Sequence, residues 1–206
     1  MRIPKHIGII PDGNRRWAKK NGLEKHEGYK NGINQGLCAF RECQKLGVEE
    51  LTFYGFTADN TKRPSIQTTS FTKACIDAVE LIKKEDAQIY VAGNSLSKMF
   101  PDELKEYTKR KFFGKRGIKV NFLINYSWEW DLNIKEENKR IINTIDISRV
   151  DLIIRWGGMR RLSGFLPIQS VYSDFYVVDE FWPDYKNEHI YEAIKWYNKQ
   201  DITLGG

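Results

Sequence analysis

Asp12-Gly13-Asn14-Arg15-Arg16 and, near the other end of the chain, Arg155-Trp156-Gly157-Gly158-Met159-Arg160-Arg161 combine the residue types that grip phosphate. Arginine offers a planar fork of donors to paired oxygens, and glycine lets backbone N–H groups approach an anion that a Cβ would hold off. In the first string, the Gly13 and Asn14 amides and the Arg16 guanidinium are placed to hold a diphosphate at a helix N-terminus. Asp12 adds a carboxylate of the kind that holds magnesium, a hard cation satisfied by one or two carboxylates and phosphate oxygens. In the second string, Arg155 and Arg161 flank a glycine pair, and Ser163 adds a hydroxyl. Two such grips predict an enzyme acting on two phosphorylated substrates.

Each string also has a plainer reading. Asp-Gly-Asn is a β-turn signal, and an arginine-rich loop is often only a solvated surface. A third polar run, Thr57–Pro64, is either an ordinary loop or a set of hydroxyl, amide and guanidinium groups that orient a reacting centre and relay a proton. Tyr172 and Asp174 are equally ambiguous.

Position argues for the chemical readings. Apolar runs at Lys5–Ile10, Glu50–Phe56, Gln88–Ala92, Ile118–Asn125, Asp151–Trp156 and Phe175–Val178 read as strands. Helices are expected at Tyr29–Leu46, Ile66–Lys84, Pro101–Phe112, Glu136–Ile145 and Asn187–Gln200. The alternation predicts an α/β fold: a mostly parallel six-stranded sheet with helices on both faces, in one domain spanning 1–206. Ligands in such sheets bind beyond the carboxyl ends of the strands. The polar strings follow the strands, so they should gather in one cleft. The apolar stripes on Tyr29–Leu46 and Ile66–Lys84 are core in the simplest reading. Phe40, Phe71 and Cys75 are the first candidates if a greasy ligand lies between helix and sheet.

Composition narrows the class. The 206 residues are 41% hydrophobic and 29% charged, as in an ordinary globular domain with a real core. The formal charge of +6 fits an anionic ligand. It does not point to nucleic acid, because the basic residues are spread along helices with no basic tail or RNA-reading aromatic motif. Cys38, Cys43 and Cys75 form no C-x-x-C and read as free thiols, and the three histidines lack metal-ligand spacing. No apolar run approaches a membrane span and the N-terminus has no signal-peptide core. A cytoplasmic protein is expected, able to touch a membrane peripherally. Neither a Walker A string nor G-x-G-x-x-G occurs, which weighs against a nucleotide-binding module.

With these residues in view, the sequence resembles the cis-prenyltransferases, the family typified by undecaprenyl diphosphate synthase. HIGIIPDGNRRWAKKNG, ELTFYGFTADNTKRP and VDLIIRWGGMRRLSGFLPIQSVYSDFYVVDEFWPDY are similar to its signatures, in order and over nearly the whole chain. The resemblance implies prenyl diphosphate substrates, Mg2+, a homodimer and a hydrophobic tunnel beside the sheet. It implies that Asp12 binds the metal and that Gly13, Asn14, Arg15, Arg16, Lys25 and Tyr29 line an allylic diphosphate. Thr57 and Asn60 would position substrates and help move a proton. Arg63, Arg155, Arg161 and Ser163 would hold the second diphosphate, and Asp174 would stand near its metal.

Several positions depart from the family pattern. Arg15 stands for a usual glycine, Lys25 for arginine, Tyr29 for histidine, Thr61 for tryptophan and Asp174 for glutamate. Met159 replaces a glutamate of the long-chain bacterial enzymes. The stretch from Tyr126 to Asp151 is short, and Thr203-Leu204-Gly205-Gly206 lacks the arginine expected before its glycines. A short or medium prenyl product is therefore expected, from head-to-tail condensation with isopentenyl diphosphate. The alternatives are branched, lavandulyl-type condensation of allylic diphosphates and a non-catalytic partner subunit.

Overall fold

The computed structural model describes residues 1–115, 117–133 and 142–201. Seven strands form one sheet in the order β4-β3-β5-β2-β1-β6-β7. They are β1 (His6–Ile10), β2 (Glu50–Tyr54), β3 (Ala87–Ala92), β4 (Lys111–Phe113), β5 (Ile118–Leu123), β6 (Leu152–Arg155) and β7 (Asp174–Val177). All pairings are parallel except β3 with β4. The expected mostly parallel sheet is present, with one strand more than the sequence indicated. Pro101–Phe112 was expected to be a helix. Instead a 3-10 helix, Asp102–Thr108, gives way to β4, which closes the edge against β3.

β1 and β2 are buried at every residue, as strands covered on both faces must be. One face packs against α3 (Ile33–Lys45), α4 (Ser65–Ile82) and α6 (Asn187–Tyr197), through Phe40, Cys43, Val79, Ile82, Ile190 and Ile194. The other is covered by Tyr126, Ile147, Val150, Phe165 and Leu166, with Trp130 of the one-turn helix α5 (Trp128–Asp131). Residues 136–141 of the helix expected at Glu136–Ile145 lie outside the described residues, and 143–145 form a turn.

The helix expected at Tyr29–Leu46 is broken. α2 (Gly28–Asn31) ends at Gly32, where α3 begins. A Cβ on Gly32 would stand 2.6 Å from Asn14 Oδ1 and 2.6 Å from the Trp182 ring. The break lets the chain pass between two side chains that touch the site. A further helix, α1 (Asn14–Lys20), starts directly after Gly13.

Candidate active site

Ile10 of β1 is in register with Arg155 of β6, and Arg155 with Val177 of β7. The polar strings therefore leave the same end of the sheet. They meet in a cavity of ≈ 1190 Å³, including space open to solvent, lined by residues from Asp12 to Arg16, by Thr57, Asn60 and Arg63, and by Arg155, Arg161 and Ser163. The single shared cleft expected from sequence is there. Five arginines and two aspartates, Asp12 and Asp59, line it, so the cavity is strongly cationic.

Arg155 is its most constrained side chain. Its side chain is only 5% exposed, Nη2 donates to Asp12 Oδ2 at 2.8 Å, and Nη1 donates to Ser163 Oγ at 2.9 Å and to the Arg161 carbonyl. Arg155 Nε is buried with no protein acceptor. Arg16 Nη2 lies 3.6 Å from the same Asp12 oxygen, and its guanidinium stands 5.0 Å over the Phe181 ring. Ser163 sits in the left-handed region, φ 53°, and the Tyr54 hydroxyl holds it there by donating to its carbonyl at 2.7 Å. Tyr54 was missed in the sequence because it reads as one more core residue of a buried strand. Burial pushes its phenol up, so it remains a donor at neutral pH.

Several expectations about donors need correction. The Gly157 and Gly158 amides do not face an anion: they donate to the Glu180 and Val178 carbonyls, at 2.7 and 3.1 Å. Gly157 is needed for a different reason. With φ 83° it lets Arg16 approach, and a Cβ there would meet Arg16 Nη2 at 2.6 Å. Likewise the Gly13 amide is taken by Asp12 Oδ1 at 2.6 Å. Asn14 donates to the Pro11 carbonyl at 2.9 Å and keeps a buried, unpartnered Oδ1. Thr57 and Asn60 line the cavity and also build the 3-10 helix Ala58–Lys62, where Asn60 Oδ1 accepts from the Thr57 amide at 3.2 Å. Thr61 turns back to the Ala58 carbonyl.

The structure groups Arg63 with the first string rather than with Arg155. Arg63 Nη1 donates to the Tyr29 hydroxyl at 2.9 Å, and its guanidinium stands 5.6 Å over the Phe71 ring. Lys25 is exposed on the turn between α1 and α2 and does not line the cavity. Asp174 is also displaced. It begins β7 opposite Leu152, at the amino end of the sheet, three strand residues (about 10 Å) before the level of Arg155. Within one chain it cannot share an ion with Asp12.

An apolar channel of ≈ 610 Å³, including space open to solvent, adjoins the cavity and shares Pro11, Asn14, Tyr29, Gly55 and Phe71 with it. It runs between the sheet and α4, past Ala74, Cys75 and Ala78 to Ile82, Phe53 and Phe122. Phe71 and Cys75 line it as expected, whereas Phe40 is fully buried in the core beside it.

The family model "Putative undecaprenyl diphosphate synthase" matches residues 10–205. The chain belongs to this family. As a cis-prenyltransferase it is an enzyme that transfers prenyl groups, and its relatives match it end to end. It is 33% identical to an isoprenyl transferase of Clostridium perfringens, over all of this chain and 91% of that one. It is 28% identical to a ditrans,polycis-undecaprenyl-diphosphate synthase ((2E,6E)-farnesyl-diphosphate specific) of Vibrio parahaemolyticus, over 98% and 91%. The Clostridium alignment spans 234 positions against 206 residues here, so that relative carries segments this cis-prenyltransferase lacks. The fold is that of lavandulyl diphosphate synthase from Lavandula x intermedia, solved with dimethylallyl diphosphate: TM-score 0.83, 21% identity, 99% of each chain.

The Asp12 environment suits magnesium brought in by a diphosphate. Among the described residues no cluster of three or more His, Cys, Asp and Glu could cage a metal by itself. One half-exposed carboxylate among arginines fits an ion whose other ligands are phosphate oxygens. Among the described residues no helix is long and apolar enough to cross a membrane.

Proposed function

We propose that this prenyltransferase condenses an allylic prenyl diphosphate with isopentenyl diphosphate, head to tail, to give a prenyl diphosphate of short or medium length. The observation that carries this reading is the continuity of a cationic cavity with an apolar channel. The pair matches a diphosphate head and a prenyl tail.

Asp12 would hold a magnesium ion, which supplies charge neutralisation to the diphosphates. Arg15, Arg16 and Arg63 would hold the allylic diphosphate as its C–O bond breaks, spreading the leaving group's charge over fixed donors. Arg155, Arg161 and Ser163 would hold isopentenyl diphosphate with its double bond toward the allylic carbon. That alignment, rather than covalent chemistry by the protein, supplies the rate. The proton lost after bond formation would pass to a diphosphate oxygen, with the Thr57 hydroxyl and the Asn60 amide orienting it.

Channel length supports a short or medium product. From Phe71 to Ile82, α4 rises about 16 Å at ~1.5 Å per residue. An isoprene unit adds four carbon–carbon bonds of about 1.5 Å, roughly 5 Å along the tail, so the channel takes about three units. The test is incubation with dimethylallyl, geranyl or farnesyl diphosphate together with isopentenyl diphosphate and magnesium, with products read by mass spectrometry and NMR. A lengthened prenyl diphosphate is expected, and no condensation with any primer would overturn the reading.

Met159 favours a second reading. It places an apolar side chain in the cavity beside Arg161, where a second allylic tail could lie. Branched condensation would then proceed from dimethylallyl diphosphate alone, and absence of product under that condition would remove it. A non-catalytic partner role is disfavoured, because Asp12, Asn14, Arg16, Arg155 and Arg161 all line one cavity.

A further inference from the structure

Two aromatic side chains, Tyr29 and Phe71, stand where the cationic cavity meets the apolar channel, and Arg63 lines the cavity beside them. The Tyr29 ring lies flat on Phe71, with centroids 4.5 Å apart and planes 3° from parallel. Phe56 braces Phe71 edge-on at 5.6 Å. Arg63 lies over the same phenylalanine and donates Nη1 to the Tyr29 hydroxyl at 2.9 Å. Tyr29 is itself 5% exposed, so its ring is held in place by packing. Both Tyr29 and Phe71 face the cavity on one side and the channel on the other.

A guanidinium on a long stem normally samples many rotamers, and each must be given up when an anion binds. Here one edge of the fork is already anchored and its face rests on a ring. The remaining donors are held at the channel mouth, so an anion gripped there starts its tail against Phe71 and Tyr29. The Arg155 fork, tied to Asp12 and Ser163, has no aromatic wall of this kind among its hydrogen-bonding partners.

We propose that Tyr29 is a positioning residue: its hydroxyl fixes the Arg63 guanidinium at the channel mouth and thereby selects which of the two prenyl diphosphates sends its tail into the channel. This rests on the condensation reading above. Tyr29 itself does not bind diphosphate. It acts through Arg63, and the part of the molecule it discriminates is the junction of head and tail.

Tyr29→Phe tests this, because it keeps the ring stacked on Phe71 and removes only the hydroxyl. With wild-type protein active, the variant should raise KM for the allylic diphosphate about tenfold, as expected for loss of one charged hydrogen bond. KM for isopentenyl diphosphate should be unchanged, and the melting temperature should fall by only a few degrees, as expected for one lost hydrogen bond. On an Arg63→Lys background, which has no fork to anchor, the same Tyr29→Phe change should have no further effect. Direct binding of inorganic pyrophosphate by calorimetry should weaken in the same ratio in Tyr29→Phe. Equal KM shifts for both substrates, no shift for either, or full additivity with Arg63→Lys would each overturn the proposal while leaving the condensation reading intact. An inactive wild-type protein would instead remove the reading on which the proposal stands.

Discussion

Arg155 Nη2 and Asp12 Oδ2 lie 2.8 Å apart although 143 residues separate them in the chain. The contact exists because β1 and β6 are parallel neighbours and both strings follow their carboxyl ends. Its consequence is electrostatic. Asp12 is the only carboxylate hydrogen-bonded or ion-paired to Arg155 among the described residues, and the Arg155 side chain is almost entirely buried. Asp12→Ala should therefore lower stability by about 1–3 kcal/mol, since Arg161, Ser163 and solvent only partly compensate the guanidinium. It should also cut turnover by at least a hundredfold. Denaturant unfolding and steady-state kinetics measure the two effects separately. A variant with wild-type turnover would show that Asp12 takes no part in the reaction.

Tyr54 offers a gentler test of the same half of the site. Its hydroxyl pins the Ser163 carbonyl, which keeps Ser163 in a left-handed backbone and its Oγ on Arg155. Tyr54→Phe removes one hydrogen bond and should cost about 1 kcal/mol. Its kinetic signature should be a raised KM for isopentenyl diphosphate with kcat reduced less. An effect confined to the allylic substrate would contradict the division of the site.

Gly32→Ala probes the break between α2 and α3. The new methyl would stand within 2.6 Å of Asn14 Oδ1 and of the Trp182 ring, whose indole donates to the Gly32 carbonyl at 2.7 Å. Overpacking of this kind should cost about 1–3 kcal/mol, and displacement of Asn14 should reduce activity further. Gly36 lies one turn on with nothing near its Cβ position, so Gly36→Ala is the control for stability and should be neutral or slightly stabilising, although its methyl would enter the apolar channel.

Much of this was legible in the sequence, for physical reasons. Fully buried parallel strands are continuous apolar runs, and residues placed after them must share one end of the sheet. Asp12 and Arg161 could be brought together on that basis alone. What failed were readings that depend on a single local cue. Pro101 at a first turn suggested a long helix, but the 3-10 helix ends at Thr108 and the chain becomes an edge strand. Adjacent glycines suggested anion-facing amides, but the β7 loop carbonyls had already claimed them. The family resemblance implied that Asp174 stands near the metal, while strand register, invisible from one sequence, puts it at the amino end of the sheet within this chain. Tyr54 and the Tyr29–Arg63 contact are tertiary and left no local signature.

His6 predicts how stability depends on pH. Its ring is buried between the Ser148 carbonyl, 3.0 Å away, and Thr52 Oγ1, 2.8 Å away, and burial lowers its pKa below 6.5 despite the nearby Glu50 and Asp151 carboxylates. In the unfolded chain His6 takes up a proton near pH 6.5; in the folded chain it does so only at lower pH. Between these two values the unfolded state binds more protons, so stability falls as pH falls, by up to about 1.4 kcal/mol per pH unit. Above pH 6.5 this group contributes no slope. Urea unfolding at pH 5.5, 6.5 and 7.5 should give similar values at the upper two and a lower one at the first. Rising stability on acidification from pH 6.5 would show that the ring is charged when folded.

Cys75 lies halfway down the channel, between Phe71 and Ile82 on α4. Burial pushes its thiol up to about 12, so at pH 8 it is protonated and unreactive, whereas Cys38 is exposed. A thiol-alkylating reagent should therefore label Cys38 in the folded protein and reach Cys75 only after denaturation. The small side chain has a second consequence. The channel beyond Cys75 is open only because sulfur, Ala74 and Ala78 leave room. Cys75→Phe should fill that space and shorten the product by at least one isoprene unit, with the KM for the smallest accepted primer little changed. Mass spectrometry of the product decides between this and a channel of another purpose: unchanged product length in a folded, active Cys75→Phe protein would mean that the prenyl tail does not run past Phe71 toward Ile82.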